Sequence, residues 1–148
     1  MGGLRAFACE LAGTFSLTLA GAGAVCMDAA TNGRLGPLGV ALSYAAAMTA
    51  AYYAFPGAVC RFNPALTLAD LAARRTPPLR GVFALAAQLL GATCAGLFLS
   101  AVLRAGKPEL LGSPVYLGSC ATNGIGYRAA TLIEAVIIIV AVVLIAGS

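Results

Sequence analysis

Between Ala6 and Ala146 the chain is a succession of apolar runs, each close in length to the thickness of a lipid bilayer. A helix rises about 1.5 Å per residue and the hydrocarbon layer is about 30 Å thick, so about 20 apolar residues cross it. Four runs have that length: roughly Ala6–Met27, Leu38–Phe55, Leu79–Leu103 and Arg128–Ala146. They predict an all-α membrane protein made of one transmembrane domain over residues 1–148, with little chain left for anything else. The first run exceeds the core of about 7–15 residues that a signal peptide carries, so it reads as a retained span. Turn signals separate the runs: Asn32-Gly33 and Gly36-Pro37, then Pro56-Gly57, then Pro77-Pro78, then a glycine-rich polar loop from Arg104 to Tyr127.

Composition excludes several other classes. The chain is 61% hydrophobic and 9% charged, with mean hydropathy +0.94, whereas soluble domains carry about 25% charged residues. The net charge of +4 comes from loop arginines that suit a membrane surface and calls for no nucleic acid. Five cysteines (Cys9, Cys26, Cys60, Cys94 and Cys120) form no C-x-x-C pair, and there is no histidine, which leaves nothing to build a zinc or haem site. The cysteines read as small buried apolar side chains. No nucleophile–base pair or phosphate loop stands out, so neither an enzyme nor a cofactor is expected. With four spans both termini share a side. That side carries Arg5, Arg61, Arg74, Arg75 and Arg80 against Arg34, Arg104, Lys107 and Arg128. The dense cluster in the short loop places the termini in the cytoplasm.

One segment does not fit a simple four-span reading. Cys60 to Arg75 reads CRFNPALTLADLAARR. Asn63 is a strong N-cap and Pro64 suits the first helical position, so a helix is expected over about 64–74. About ten residues give about 15 Å, half the hydrocarbon layer. Leu66, Leu68 and Leu71 are too apolar for a solvated loop. Two readings follow. In one, the segment is a re-entrant half-helix whose N-terminal end, worth about +0.5 charge, sits near the bilayer midplane with Asn63 at its tip. In the other, it is a short amphipathic helix lying at the cytoplasmic interface.

Asn63-Pro64-Ala65 followed by Leu-Thr resembles the first Asn-Pro-Ala box of the major intrinsic protein family, the aquaporins and glycerol facilitators. The context strengthens the likeness. Glu10-Leu11-Ala12-Gly13-Thr14-Phe15 resembles the family's first span, Gly39 to Tyr44 its second, Ala87-Gln88-Leu89-Leu90-Gly91-Ala92 its third and Thr131-Leu132-Ile133-Glu134 its fourth. Asn123-Gly124-Ile125-Gly126 is similar to a loop of the bacterial water-channel branch. The resemblance implies a right-handed helical bundle with a narrow passive pore for water or glycerol, usually a homotetramer in a plasma membrane, here the bacterial inner membrane. It implies that Asn63 donates to the passing molecule, that Pro64 and Ala65 set the helix start, and that Tyr44 occupies the second-span position of the selectivity filter. It also implies that Glu10 and Glu134 accept hydrogen bonds from backbone leading into a half-helix, with Gln88 bonding between helices. Without the resemblance, the two carboxylates read as a proton relay or as side chains reaching the interface.

The chain departs from the family in three places. Where the family has Ser-Gly-Gly-His or Ser-Gly-Ala-His, it has Ala58-Val59-Cys60-Arg61. Val59 and Cys60 carry a Cβ that can narrow the pore mouth, and Arg61 either faces the lumen as a plug or snorkels outward. The 148 residues hold one box and four spans, which fits a truncated channel or a half-channel that pairs with another. No polar tail follows the fourth span. Two alternatives remain at this point: a non-conducting partner subunit of a full channel, and a proton-coupled transporter working through Glu10 and Glu134.

Overall fold

The computed structural model describes residues 3–55, 60–112, 115–119 and 126–146, with side chains as far as 144. Among them are five α-helices: α1 (Gly3–Ala30), α2 (Gly36–Ala54), α3 (Pro64–Ala72), α4 (Pro78–Gly106) and α5 (Tyr127–Ala146). Two short 3-10 turns, Pro108–Leu111 and Tyr116–Gly118, lie between α4 and α5, and the described residues contain no strand.

The helices begin and end on local chemistry. α1 stops where Asn32 (φ 56°) and Gly33 (φ 81°) enter the left-handed region, and Gly33 N closes the end by donating to Asp28 O at 2.8 Å. The Asp28 carboxylate then accepts from Gly36 N at 2.8 Å, placing an anion at the start of α2. Pro37 and Pro78 occupy the first turns of α2 and α4, where a missing N–H leaves no intrahelical bond unmade. α3 ends at Ala72, short of the expected 74. Ala73 has left the helix with ψ near 0°, and Arg74 (φ 55°) turns the chain towards α4.

α1, α4 and α5 are long and apolar enough to cross a membrane. α2, with 19 residues, has almost the needed length, but Tyr44, Tyr52 and Tyr53 lower its apolarity.

α1 forms the centre and packs against α2 on one side and α4 on the other, while α3 lies against α4 and touches α5. Small residues make the contacts possible. A Cβ on Gly91 of α4 would collide with the Leu11 carbonyl oxygen and lie 3.1 Å from Phe15 N, so the two backbones meet there directly. Gly13 and Gly21 of α1 leave room for the rings of Phe62 and Tyr44. The residues of α5 from 131 to 140 are exposed, and so are many large apolar side chains of α2 and α4. Lipid tails are as apolar as leucine, so such outward faces are natural in a bilayer.

The cysteines are not uniformly the small apolar packing groups expected from the sequence. Cys9 of α1 and Cys60 are joined by a disulfide. Cys26 is buried and free, and Cys94 is exposed and free. Cys120 lies outside the described residues, as does Val59.

Candidate functional site

The start of α3 is held by side chains of two long helices. Asn63 is its N-cap, with extended backbone (φ −146°, ψ 121°), and its Oδ1 accepts from Ala65 N at 2.8 Å. Pro64 follows at the first helical position. With Oδ1 turned onto the helix, the Nδ2 amide is the end of Asn63 directed away from α3. It therefore presents N–H donors at the positive end of the helix dipole.

Three residues leading into that cap are fixed to two adjacent residues of α1. Cys60 is bonded to Cys9. Arg61 N and Phe62 N donate to Glu10 Oε1 and Oε2, each at 2.8 Å. Phe62 has φ 53°, the left-handed region that β-carbon residues avoid, so its backbone is held in a strained conformation. Its ring fills the space over Gly13 and meets Tyr52 of α2 at a centroid distance of 5.2 Å.

α4 adds a second brace. Gln88 is 1% exposed, and its Nε2 donates to Glu10 Oε2 and to Thr67 Oγ1, both at 2.9 Å. Thr67 Oγ1 in turn donates to Asn63 O at 3.1 Å. A continuous polar chain thus runs from Glu10 of α1 through Gln88 of α4 to Thr67 and Asn63 of α3. A buried carboxylate needs donors to offset its lost hydration, and this one has three.

Arg61 finds a partner that the sequence reading did not name. Its guanidinium folds back onto α3 and pairs with Asp70, Nε to Oδ2 at 2.6 Å. The physical reason is the low-polarity surroundings, with the Asp70 side chain only 11% exposed. A charge so placed is costly unless an opposite charge meets it. Sequence reasoning missed this pairing, and it also missed Thr67, Phe62 and the disulfide. An aspartate within an apolar run, nine residues from an arginine, was the available signal.

The remaining candidates are spread out. Tyr44 packs over Gly21 of α1, two turns or about 12 Å along the helix from the Gly13 that Phe62 covers. Glu134 is exposed on α5 and takes no part in the network around Glu10. α1 and α5 do not pack against each other, so the structure does not bring the two glutamates together. The described residues hold no group of His, Cys, Asp or Glu suited to a metal ion.

The profile of the major intrinsic protein family matches residues 1–148. Over 89 residues the chain is 42% identical to aquaporin NIP1-1 of Oryza sativa subsp. japonica, a match covering 58% of this chain and 31% of the relative. It is 40% identical to aquaporin NIP1-1 of Zea mays over the same lengths and shares. The matched segment thus spans about a third of these curated relatives. No solved structure matches.

Proposed function

The chain belongs to the major intrinsic protein family, and from that premise we propose that it contributes the first half of a passive transmembrane pore for water, with small neutral solutes such as glycerol as the next candidates. The observation that carries this reading is the bracing of the Asn63 cap. Glu10, Gln88 and Thr67 fix the start of a nine-residue helix so that an amide donor and a positive helix end share one point. A donor pair with a positive field binds a neutral hydrogen-bond acceptor and repels cations, a recognised basis of selectivity in aquaporin-type channels.

In this reading α1, α2, α4 and α5 are the spans, and α3 enters the membrane from the side holding the starts of α1 and α4, which is the cytoplasm. Tyr44 narrows the path about two turns from the Asn63 level. The Arg61–Asp70 pair keeps the arginine's charge on the wall and out of the lumen. The exposed face of α5 offers the surface on which a second set of helices completes the pore, and a homotetramer in a plasma membrane is the assembly that goes with the family. A proton relay through Glu10 is disfavoured because both its oxygens already accept hydrogen bonds.

Osmotic shrinkage of proteoliposomes tests the proposal. Vesicles carrying the completed pore, this chain together with the helices that supply the second half, should shrink faster than protein-free vesicles, at a rate indifferent to an imposed pH gradient. Asn63→Asp should remove that excess while leaving membrane insertion intact. Equal permeability of the wild type and Asn63→Asp would overturn it.

A further inference from the structure

Cys9 and Cys60 are joined by a disulfide across a sequence separation of 51, and the bond duplicates a fastening the chain already has. Glu10, beside Cys9, accepts from the backbone of Arg61 and Phe62, the two residues after Cys60, and Gln88 fixes that carboxylate from α4. The residues before α3 therefore keep their place on α1 through hydrogen bonds when the sulfurs are separate. A disulfide that the fold does not require is the kind that opens and closes without unfolding the protein.

Compartment and backbone strain both favour opening. Cys9 lies about 9 Å from the start of α1, in the half of the bundle that the pore reading turns to the cytoplasm. Thiols there are kept reduced, and the disulfides that do form are usually transient, catalytic or redox-sensing. Phe62, two residues beyond Cys60, has φ 53°, a conformation costly for a residue with a β-carbon. The bonded state carries that cost, and relaxation on release favours the thiols. Ala51 and Phe62 pack against the pair, with Leu17, Met48 and Phe55 around them. Cys60, at 4% exposure, is less completely buried than Cys9 at 0%. Attack on the Cys60 sulfur therefore waits on residues 60–62 lifting from α1.

We infer that Cys9 and Cys60 form a redox-active site that exchanges with low-molecular-weight thiols of the cytoplasm and so sets how firmly the Asn63 cap is held. The oxidised pair ties residues 60–62 to α1, and the reduced pair leaves them on Glu10 alone. A small-molecule thiolate attacks the Cys60 sulfur, the S–S bond breaks and Cys9 departs as a thiolate. A second thiolate attacks the mixed disulfide, freeing Cys60 and forming the small molecule's own disulfide. The two small thiols give up two electrons, and their two protons end on Cys9 and Cys60. The small-molecule disulfide reverses the sequence. The inference rests on the pore reading in one respect, the side of the membrane on which α1 begins.

Equilibrating the detergent-purified protein in about 10 mM glutathione with about 0.1 mM of its disulfide tests the site. After alkylation, the peptides containing Cys9 and Cys60 are read by mass spectrometry. Most of the pairs should be reduced, and raising the glutathione disulfide about a hundredfold should re-form them. In the reduced protein the amides of Arg61 and Phe62 should exchange with solvent about tenfold faster, while circular dichroism shows the helices retained. Cys60→Ser should exchange at the reduced rate in either buffer, and Cys9→Ser should do the same if the first variant fails to fold. A bond that survives the reducing buffer, amides indifferent to it, or helices lost on reduction would each overturn the site. None of these readouts uses permeation, so a failure of the vesicle test leaves them standing. A reporter active only in the cytoplasm, fused to the N-terminus, reads the orientation separately, and its silence would overturn exchange with the cytoplasmic thiols.

Discussion

Replacing Glu10 with alanine removes the acceptor of three hydrogen bonds at once. Arg61 N, Phe62 N and Gln88 Nε2 all donate to a carboxylate that is 3% exposed. A bond to a charged acceptor contributes about 1.5–3 kcal/mol, and the stranded donors add their own desolvation cost. Simple addition overshoots, because the three share one group and the loop can relax. Part of the loss is also returned when Phe62 leaves its left-handed conformation, which costs about 1–2 kcal/mol. The expected net loss is about 3–5 kcal/mol. Glu10→Gln keeps one acceptor oxygen but turns an NH2 towards existing donors, so it should lose about half as much. Thermal unfolding in detergent gives the global figure. Hydrogen exchange locates it: peptides containing Arg61 and Phe62 should lose protection, while those of α4 beyond Gly91 should not. Were Glu10→Ala to melt with the wild type and keep those two amides protected, the bracing would have to come from elsewhere and the role assigned to Glu10 would be wrong.

Asp70→Asn should destabilise by about 1 kcal/mol, because Arg61 is left partly buried without its counter-charge, and a double-mutant cycle with Arg61→Ala should return a coupling of similar size. Cys9 and Cys60 should resist alkylation in denaturant until a reductant is added, while Cys26 and Cys94 react at once. For a sequence separation of 51, the chain-entropy estimate puts the loss on reduction at about 4 kcal/mol, an upper value because membrane helices persist when unfolded. Gly91→Ala should cost about 1–3 kcal/mol in thermal unfolding, since its new methyl meets backbone of α1 rather than a movable side chain.

What the sequence made legible was local. Apolar run length located the helices to within a few residues, and Asn63-Pro64 marked the start of α3 because capping chemistry depends on neighbours alone. Glu10 and Gln88 drew notice because a carboxylate or an amide inside an apolar run requires partners. The identity of those partners was not local. Glu10 meets backbone 51 and 52 residues away, and Gln88 reaches it across 78. The disulfide likewise depends on α1 and the residues before α3 arriving at one place. The Arg61–Asp70 pair went unread because it joins the residues before α3 to a carboxylate two turns into that helix. The stop at Ala72 depends on the left-handed turn at Arg74, which an alanine-rich sequence with arginines at its end does not announce.

The two readings left open for the segment around α3 differ in depth, and three helix lengths bear on that difference. Glu10 lies seven residues into α1, about 10 Å from its start, and Gln88 lies ten residues into α4, about 15 Å from its start. α3 has nine residues, about 14 Å, between its cap and the turn that leads back to α4. The same point, where Asn63 begins α3, is therefore about 10–15 Å below the starts of two spanning helices and about one half-helix below the return turn. On the proposed reading, with about a turn of each long helix outside a layer about 30 Å thick, that depth is about 5–10 Å inside the hydrocarbon. Backbone there must find partners within the protein, and the Glu10 carboxylate supplies them for Arg61 and Phe62. A helix lying flat at the surface would need its anchors in the first turns of α1 and α4, whereas the side chains that hold this one sit about two and three turns from those starts.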